Sequence, residues 1–381
     1  MISMLFDKRI LSTLLCIVQL FVTCNAQKML VSVPVADLRS GQQAVPAGLQ
    51  APAMSQDLKG QLSQLLFGEK LIGPEINNQN NNWVNVSALE QEVFYHNQWV
   101  GCSGYVQKNQ VIPVDYFPKY TIVLQDLWTP IYQIKKNLAQ PIISCAMGTM
   151  LEAKKIDDNW WQVYFCGQEY GFIPATAAIY ELSDQVTETE QELRNTIVNL
   201  AKKFIGCSYV LGGRTPTKKP QDNLQITGID CSDLINILFK SVGLQVPKNS
   251  TSQFYGVSKL ITHGKDLLPG DLLFFTRSND IKTMCHVMLY IGKDQDGHGE
   301  IIEATGMGVS SIQEAREKNI DTKKLAVRKI KLIDYLGADL DVDQIEAGKT
   351  IYKKRGYFVL MGSYFGSPDV IQNLRTKLMC Y

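Results

Sequence analysis

The chain has 381 residues, more than one ordinary hydrophobic core accommodates, so two or three domains are expected. Its composition, 45% hydrophobic and 20% charged, is typical of a soluble globular protein. The formal net charge of +1 shows no strong bias of either sign. This balance argues against a nucleic-acid-binding protein and against one held by charge on an anionic membrane.

The N-terminus has the pattern of a secretory signal peptide. Lys8-Arg9 precede an apolar run over residues 10–22 that is too short to span a bilayer, and Ala26 is a small residue suited to cleavage. We expect residues 1–26 to be removed and the mature protein to be periplasmic or extracellular, with no integral membrane segment. Lipid attachment at Cys24 and an uncleaved anchor are the alternatives.

Residues 30–115 and 118–180 repeat one pattern. Each has short alternating strands, a polar turn, a strand in which valine follows Trp83 or Trp161 within two residues, and a closing Gly-aromatic-aliphatic sequence. The pattern predicts small antiparallel barrels. It resembles the bacterial SH3-like domain twice over, and in the second copy we expect the tryptophans to be mainly core residues.

The third predicted domain covers residues 186–381. Residues 186–203 carry apolar side chains on one face, as an amphipathic helix does. Strands are predicted afterwards at residues 271–276, 286–291, 300–304 and 356–361. A helix followed by strands indicates an α+β arrangement.

The strongest chemical signal in this domain is Cys231, where a glycine turn passes into an apolar helix. The positive end of a helix dipole favours a thiolate. His286 begins a predicted strand downstream, and a histidine brought to a helix-borne cysteine completes a Cys/His nucleophile pair. Cys285 beside His286 does not indicate a metal pair, because adjacent strand residues face opposite sides.

Four motifs occur in order, at residues 201–213 (AKKFIGCSYVLGG), 228–234 (GIDCSDL), 268–275 (LPGDLLFF) and 286–292 (HVMLYIG). Together they resemble the motifs of the NlpC-type cell-wall peptidases, over about residues 190–330. The resemblance implies a papain-like α+β catalytic domain after the two SH3-like β-barrels. It also implies that the Cys231 thiolate attacks the scissile carbonyl, that His286 protonates the leaving amine, and that no metal or organic cofactor takes part.

The third catalytic residue departs from the family pattern, which usually has a histidine on the next strand. Strand register places Glu303 at that position, and a carboxylate can orient an imidazole and stabilise its protonated form. His298 is the alternative, although it falls in a polar turn. Tyr209, in the first motif, corresponds to a family tyrosine near the oxyanion, and a packing role is the alternative reading.

The resemblance also implies a set of substrate-binding residues. Asp230 and Ser232 flank the nucleophile, and Asn249 and Ser250 lie in a turn that contributes to the site. An acidic residue there would pair with the ammonium of a free N-terminal L-Ala.

The first SH3-like domain is expected to complete the pocket. Glu69 and Tyr105 match its contributing acid and tyrosine, with Trp99 or Tyr95 as substitutes for Tyr105 and an ordinary solvated turn as the alternative for Glu69. A domain that walls off the cleft would exclude intact glycan strands.

These patterns predict an exported, monomeric cysteine endopeptidase that acts on peptidoglycan-derived peptides. The expected reaction is hydrolysis of the γ-D-Glu–L-diamino acid bond in stem peptides with a free N-terminal L-Ala, which releases L-Ala-γ-D-Glu. An N-acetylmuramoyl-L-alanine amidase and a catalytically silent wall-binding protein are the alternatives.

Overall fold

The computed structural model describes residues 26–45, 49–76, 81–135, 140–217, 226–277, 283–336, 340–349, 351–352 and 356–380. The predicted signal peptide up to residue 25, with the alternative lipid site at Cys24, lies outside the described residues. Among the described helices, none combines the length and apolar character that a membrane crossing needs.

The first region is one antiparallel sheet of seven strands. They are β1 (Gln27–Val31), β2 (Val35–Arg39), β3 (Gln61–Leu66), β4 (Lys70–Gly73), β5 (Trp83–Tyr95), β6 (Gln98–Gln107) and β7 (Val111–Val114). Their order across the sheet is β3-β2-β6-β5-β4-β1-β7. Alternating apolar side chains of these strands enclose a core that includes Met29, Leu65 and Val86.

The second region has a similar antiparallel construction. Its strands are β8 (Ile122–Leu124), β9 (Trp128–Ile131), β10 (Ile143–Ala146), β11 (Met150–Asp157), β12 (Trp160–Phe165), β13 (Gln168–Pro174) and β14 (Ile179–Glu181). They form a sheet in the order β13-β12-β11-β8-β14 and a separate β9–β10 pair. Trp161 is buried in its core, as the sequence predicts.

The prediction of two closed barrels is not confirmed. In the first region β3 and β7 are the ends of the sheet, and in the second β13 and β14 are the ends. Among the described residues, no ladder joins either pair of end strands. What both regions do have is the predicted series of short antiparallel strands.

The third region combines helices with one antiparallel sheet. Its helices are α1 (Glu190–Lys203), α2 (Cys231–Lys240), α3 (Ser250–Gly256), α4 (Ile312–Glu317), α5 (Leu332–Leu336) and α6 (Pro368–Cys380). Its strands are β15 (Lys259–Ile261), β16 (Leu272–Thr276), β17 (His286–Lys293), β18 (Gly299–Ala304), β19 (Val327–Lys331), β20 (Ile351–Tyr352) and β21 (Tyr357–Ser363). The sheet order is β15-β21-β16-β17-β18-β19, with β20 added beside β21. The predicted α+β class is confirmed.

Helix α1 begins later than predicted because a capping box fixes its start. The Thr189 hydroxyl accepts the backbone N–H of Glu192, and the Glu192 carboxylate accepts the backbone N–H of Thr189. This reciprocal pairing satisfies two backbone donors that a helix start otherwise leaves unpaired. The helix therefore begins at Glu190 rather than at residue 186.

The sheet of the third region is covered on both faces, and this packing positions the site. Helices α1 and α2 pack on one face, through residues such as Ile197 and Leu238 against Val287. On the other face, Met288 packs with residues of α5 such as Leu332. The first residue of α2 is Cys231 and the first residue of β17 is His286, so both stand at element ends rather than in the packed interior.

Candidate active site

Asp230 fixes the start of the helix that carries Cys231. Its Oδ1 accepts the backbone N–H of Asp233 at 2.8 Å and the hydroxyl of Ser232 at 3.0 Å, and its Oδ2 accepts the N–H of Gly212 at 2.9 Å. This is a side-chain N-cap, and it makes Cys231 the first helical residue. The cysteine sulfur therefore stands at the positive end of the helix dipole, as the sequence predicts.

The side chains of His286 and Cys231 line one cavity and are close enough to interact electrostatically. Burial lowers the pKa of His286, but Cys231 and Glu303 oppose this effect and together raise that pKa to about 10. The imidazole is therefore protonated at neutral pH. An imidazolium beside a cysteine at a helix start is the arrangement of a Cys/His nucleophile pair.

Glu303 holds the imidazole from the other side. Its Oε2 is 2.6 Å from Nε2 of His286, and the carboxylate is fully buried. In the β17–β18 ladder Leu289 pairs with Ile302, which places Glu303 diagonally across from His286 on the same sheet face. The structure thus brings Cys231, His286 and Glu303 together.

Arg328 is a fourth member of this chain of contacts that sequence reasoning missed. It lies directly opposite Glu303 in the β18–β19 ladder, and its Nε and Nη2 lie 2.8 Å and 2.6 Å from Oε1 of Glu303. Burial alone would raise the pKa of Glu303, but His286 and Arg328 lower it. Arg328 therefore helps to keep the carboxylate ionised. Its strand had not been predicted, so no sequence signal pointed to it.

His298, the alternative third residue, lies elsewhere. Its Nδ1 is 3.1 Å from Oδ2 of Asp341, in the turn between β17 and β18. It does not line the cavity that contains Cys231. The geometry therefore favours Glu303 as the partner of His286.

The cavity has a volume of about 220 Å³ and is bordered by side chains of both the first and the third region. Tyr209 lines it, and burial together with the nearby charge of Cys231 raises the pKa of Tyr209 well above its usual range, so the phenol keeps its proton. Met54 and Ser55 of the first region also line it. The backbone of Ala53 holds this segment in place, because its N–H donates to the Tyr209 carbonyl at 3.0 Å.

The expectation that Glu69 contributes to the pocket is corrected by the structure. Its Oε1 accepts Nη1 of Arg214 at 2.7 Å and Nζ of Lys240 at 3.0 Å, and its Oε2 accepts the N–H of Leu66 and the amide of Gln91. Only 2% of the residue is exposed. Its carboxylate joins the first region to the third instead of facing a ligand.

The tyrosine that was expected to complete the pocket from the first region also lies elsewhere. Tyr105 lies within β6, opposite Asn85, and does not line the cavity. Of its two substitutes, Trp99 packs on Phe94 with 5.0 Å between ring centroids and borders a different groove, and Tyr95 is largely exposed. The first region does complete the pocket, but it does so through Met54 and Ser55.

The other predicted substrate-binding residues are engaged within the chain. The carboxylate of Asp230 and the hydroxyl of Ser232 serve the cap described above. Asn249 caps α3 by accepting the N–H of Ser252 at 2.8 Å, and the Ser250 hydroxyl donates to the Met284 carbonyl at 3.0 Å. These contacts position the start of α2 and the loop before β17. None of these four residues borders the cavity.

The arrangement provides a thiol nucleophile, a proton carrier and a carboxylate that orients the carrier, which is what nucleophilic acyl transfer requires. Within the described ranges, no three His, Cys, Asp or Glu side chains gather as a metal-ligand set. Cys285 lines the cavity as well, but its sulfur is turned to the Phe275 carbonyl, 3.2 Å away.

Residues 206–329 match the NlpC/P60 family, so the chain contains an NlpC/P60 family domain. A crystal structure of an NlpC/P60 family protein from Bacillus cereus ATCC 10987 has the same fold, with a TM-score of 0.56, 18% identity and coverage of 80% of this chain and 94% of that one.

Two curated relatives carry enzymatic names. The chain is 26% identical over 184 residues to the gamma-DL-glutamyl hydrolase of Bacillus subtilis strain 168, and the match covers 48% of this chain and 36% of that protein. It is 28% identical over 96 residues to the gamma-D-glutamyl-L-lysine dipeptidyl-peptidase of Bacillus cereus ATCC 10987, which covers 25% of each. The chain thus spans a quarter to about a third of the length of these relatives.

Proposed function

We propose that this protein is an exported cysteine endopeptidase that hydrolyses the γ-D-Glu–L-diamino acid bond of peptidoglycan stem peptides. Its substrates would be peptides with a free N-terminal L-Ala, and its product L-Ala-γ-D-Glu. In this activity and in its order of regions it would be similar to dipeptidyl-peptidase VI. The assignment of the first two regions as SH3-like domains, cleavage of the signal peptide and a monomeric state belong to the same proposal.

The observation that carries the proposal is the continuous chain of contacts from Cys231 through His286 to Glu303 at the wall of a cavity. A cysteine with only a packing role would not account for an imidazole beside it that is in turn held by a fully buried carboxylate. Perturbed titratable groups that meet in a cleft are typical of catalytic sites.

In the first half-reaction, the Cys231 sulfur attacks the γ-carbonyl of D-Glu. The bond between this carbon and the amine nitrogen breaks as the imidazolium of His286 gives its proton to the leaving amine. Glu303 keeps the ring in position and stabilises its protonated form. The protonated phenol of Tyr209 is the candidate hydrogen-bond donor to the oxyanion.

In the second half-reaction, neutral His286 takes a proton from water, and the resulting hydroxide attacks the thioester. The carbon–sulfur bond breaks, L-Ala-γ-D-Glu leaves as a free acid, and the imidazolium–thiolate pair is restored. The protons balance without any further group.

The choice of bond is supported by the names of the two curated relatives, both of which refer to a gamma-glutamyl linkage. Substrate size is supported by the cavity, because about 220 Å³ is smaller than the roughly 300–1,000 Å³ of sites for drug-sized ligands. A short peptide fits such a space better than a glycan strand does. Met54 and Ser55 of the first region form part of its wall.

Mass spectrometry of the products tests the proposal. The protein would be incubated with L-Ala-γ-D-Glu-L-Lys, with the meso-diaminopimelate tripeptide, and with the same peptides joined to N-acetylmuramic acid. We expect L-Ala-γ-D-Glu from at least one free tripeptide. Consumption of only the muramoyl-linked peptides, with release of the intact peptide, would instead identify an N-acetylmuramoyl-L-alanine amidase. Binding of cell walls without any turnover would identify a wall-binding protein.

A further inference from the structure

The cavity is cationic on one side. Arg277 and Arg328 both line it, whereas among the described residues no Asp or Glu side chain does. Arg277 is exposed, and it has no carboxylate partner in the described part of the chain. Glu303 balances the charge of Arg328, so Arg277 is the lining guanidinium that has no carboxylate partner among the described residues, and a small cavity with such a group is suited to an anionic ligand.

Both cations stand on the imidazole side of the site. Phe275 pairs with His286 across the β16–β17 ladder, and Arg277 lies two residues after Phe275, directly beyond the end of β16. Arg328 is linked to His286 through Glu303. Met54 and Tyr209, by contrast, belong to one apolar cluster, and both lie beside Gly306, where Sδ of Met54 is 3.0 Å and Cε1 of Tyr209 is 2.9 Å from the position that a Cβ on that glycine would take. The cavity therefore has a cationic wall and a neutral wall.

The chemistry of the leaving group indicates what the cationic wall would meet. The imidazolium of His286 must reach the leaving amine to protonate it, so the leaving amino acid lies on the imidazole side. In an α-amino acid a single carbon separates the amine nitrogen from the α-carboxyl group. A carboxylate on the leaving residue would thus fall beside His286, next to the two guanidinium groups.

We propose that Arg277, supported by Arg328, forms a subsite for the free α-carboxylate of the leaving diamino acid. This inference rests on the proposed function and deepens it. The enzyme then prefers stem tripeptides, which end at that carboxylate, over longer peptides in which an amide has replaced it. Arg328 has a second duty as the partner of Glu303, which leaves Arg277 as the main specificity-determining residue.

The contacts of Arg277 suit this role. Its Nε donates to the Tyr357 hydroxyl at 3.0 Å, and the guanidinium lies 5.5 Å from the centroid of the Tyr357 ring. One edge of the planar group is thereby anchored to β21. Guanidinium groups bind carboxylates through paired N–H donors, and such charge-assisted bonds are about twice as strong as neutral ones.

The test compares L-Ala-γ-D-Glu-L-Lys with its C-terminal amide, in the full chain and in two variants. For the unaltered enzyme we expect kcat/KM to be about 10- to 100-fold higher for the acid than for the amide, the effect of one charge-assisted interaction. In Arg277→Gln this ratio should fall to near one. Arg316→Gln, a matched change at an exposed arginine of α4 outside the cavity, should retain the full ratio.

Two results would overturn the inference while leaving the proposed function intact: equal cleavage of acid and amide by the unaltered enzyme, or an unchanged ratio in Arg277→Gln. A third substrate, with the D-Glu α-carboxyl group amidated, separates the two carboxylates of the tripeptide. If Arg277→Gln changed only the discrimination against this third substrate, Arg277 would bind the acyl side and the inference would be wrong. If no substrate released L-Ala-γ-D-Glu, the proposed function itself would fall.

Discussion

Glu303 and Glu69 are two buried carboxylates with similar partners and different consequences. Glu303 is bound by Arg328 and His286, and Glu69 by Arg214 and Lys240. The partners of Glu69 are themselves fully buried cations, whereas His286 borders a cavity and touches a cysteine. Burial and charge alone thus do not define a site. What distinguishes Glu303 is a titratable partner that opens on a cavity.

The Glu69 cluster has a structural consequence instead. Arg214 and Lys240 belong to the third region, and Lys240 also contacts Glu90 of β5 at 2.7 Å. These ion pairs cross between the first and the third region and lie close to the start and the end of α2. They fix the relative positions of two regions that both contribute side chains to the cavity.

The largest expected effect is the loss of activity when the cysteine nucleophile is removed. Cys231→Ala removes the nucleophile and should reduce kcat/KM for the tripeptide by at least about 10⁴-fold, with the fold retained. Cys380→Ala, at an exposed cysteine of α6, is the matched control and should retain full activity. Tripeptide hydrolysis by Cys231→Ala at more than a hundredth of the original rate would show that another group attacks the carbonyl.

Glu303→Gln should come next, with a loss of about 10²- to 10⁴-fold in kcat, because the amide can neither stabilise the imidazolium nor fix its orientation as well. Glu303 is one of the groups that raise the pKa of His286 to about 10, so its loss should lower that pKa. The alkaline limb of the pH–rate profile should therefore move to lower pH. Glu300→Gln, in the same strand and paired with Lys329, is the control. If the alkaline limb did not move in Glu303→Gln, Glu303 would not be one of the groups that raise the pKa of His286.

Glu69→Gln should act on stability rather than on chemistry. Breaking a buried ion pair on one side costs about 3–5 kcal/mol, because the remaining charges lose their partner. The free energy of unfolding, measured by urea titration, should fall by this amount, while kcat of the folded enzyme changes little. Glu169→Gln, at an exposed position of β13, should leave both unchanged. A large loss of kcat with no loss of stability would instead indicate that Glu69 is a substrate-binding residue.

The same carboxylate makes stability depend on pH. Burial raises the pKa of Glu69, but Arg214 and Lys240 outweigh burial and lower the pKa from 4.5 to about 2. The folded state therefore binds this proton less readily than the unfolded chain does. The stabilisation is present above about pH 4.5 and is lost as the pH falls towards 2, so Glu69→Gln should show a weaker acid destabilisation than the unaltered protein.

The smallest effect is expected for His298→Asn. This histidine is paired with Asp341 on a partly exposed turn, so its loss should cost at most about 1 kcal/mol and change tripeptide hydrolysis by less than about twofold. Thermal unfolding and steady-state kinetics measure the two effects. A hundredfold loss of activity would reinstate His298 as the third catalytic residue.

Local sequence patterns were sufficient to identify the residues that meet at the centre of the site. Cys231 could be placed because a glycine turn passes there into an apolar helix, and Glu303 because strand register puts it where the resembling family usually has a histidine. The α+β class and the positions of β16, β17 and β18 followed from the same periodicities.

What the sequence could not predict depends on contacts between distant segments. The position of Glu69 in a turn resembled that of an exposed residue, but its cationic partners come from the loop before α2 and from α2 itself, 145 and 171 residues away. The cavity wall formed by Met54 and Ser55 arises only when the first region packs on the third, and Arg277 and Arg328 meet the same cavity only when the strands of the third region assemble. No local pattern encodes which side chains of remote elements become neighbours.

Trapping the acyl-enzyme tests the central claim most directly. The protein would be mixed with L-Ala-γ-D-Glu-L-Lys, quenched in acid within the first turnovers, digested and mapped by mass spectrometry. We predict an L-Ala-γ-D-Glu group in thioester linkage on the peptide that contains Cys231, and its disappearance in Cys231→Ala. The same group on the peptide that contains Cys285, or rapid product formation with no acylated cysteine, would contradict the account.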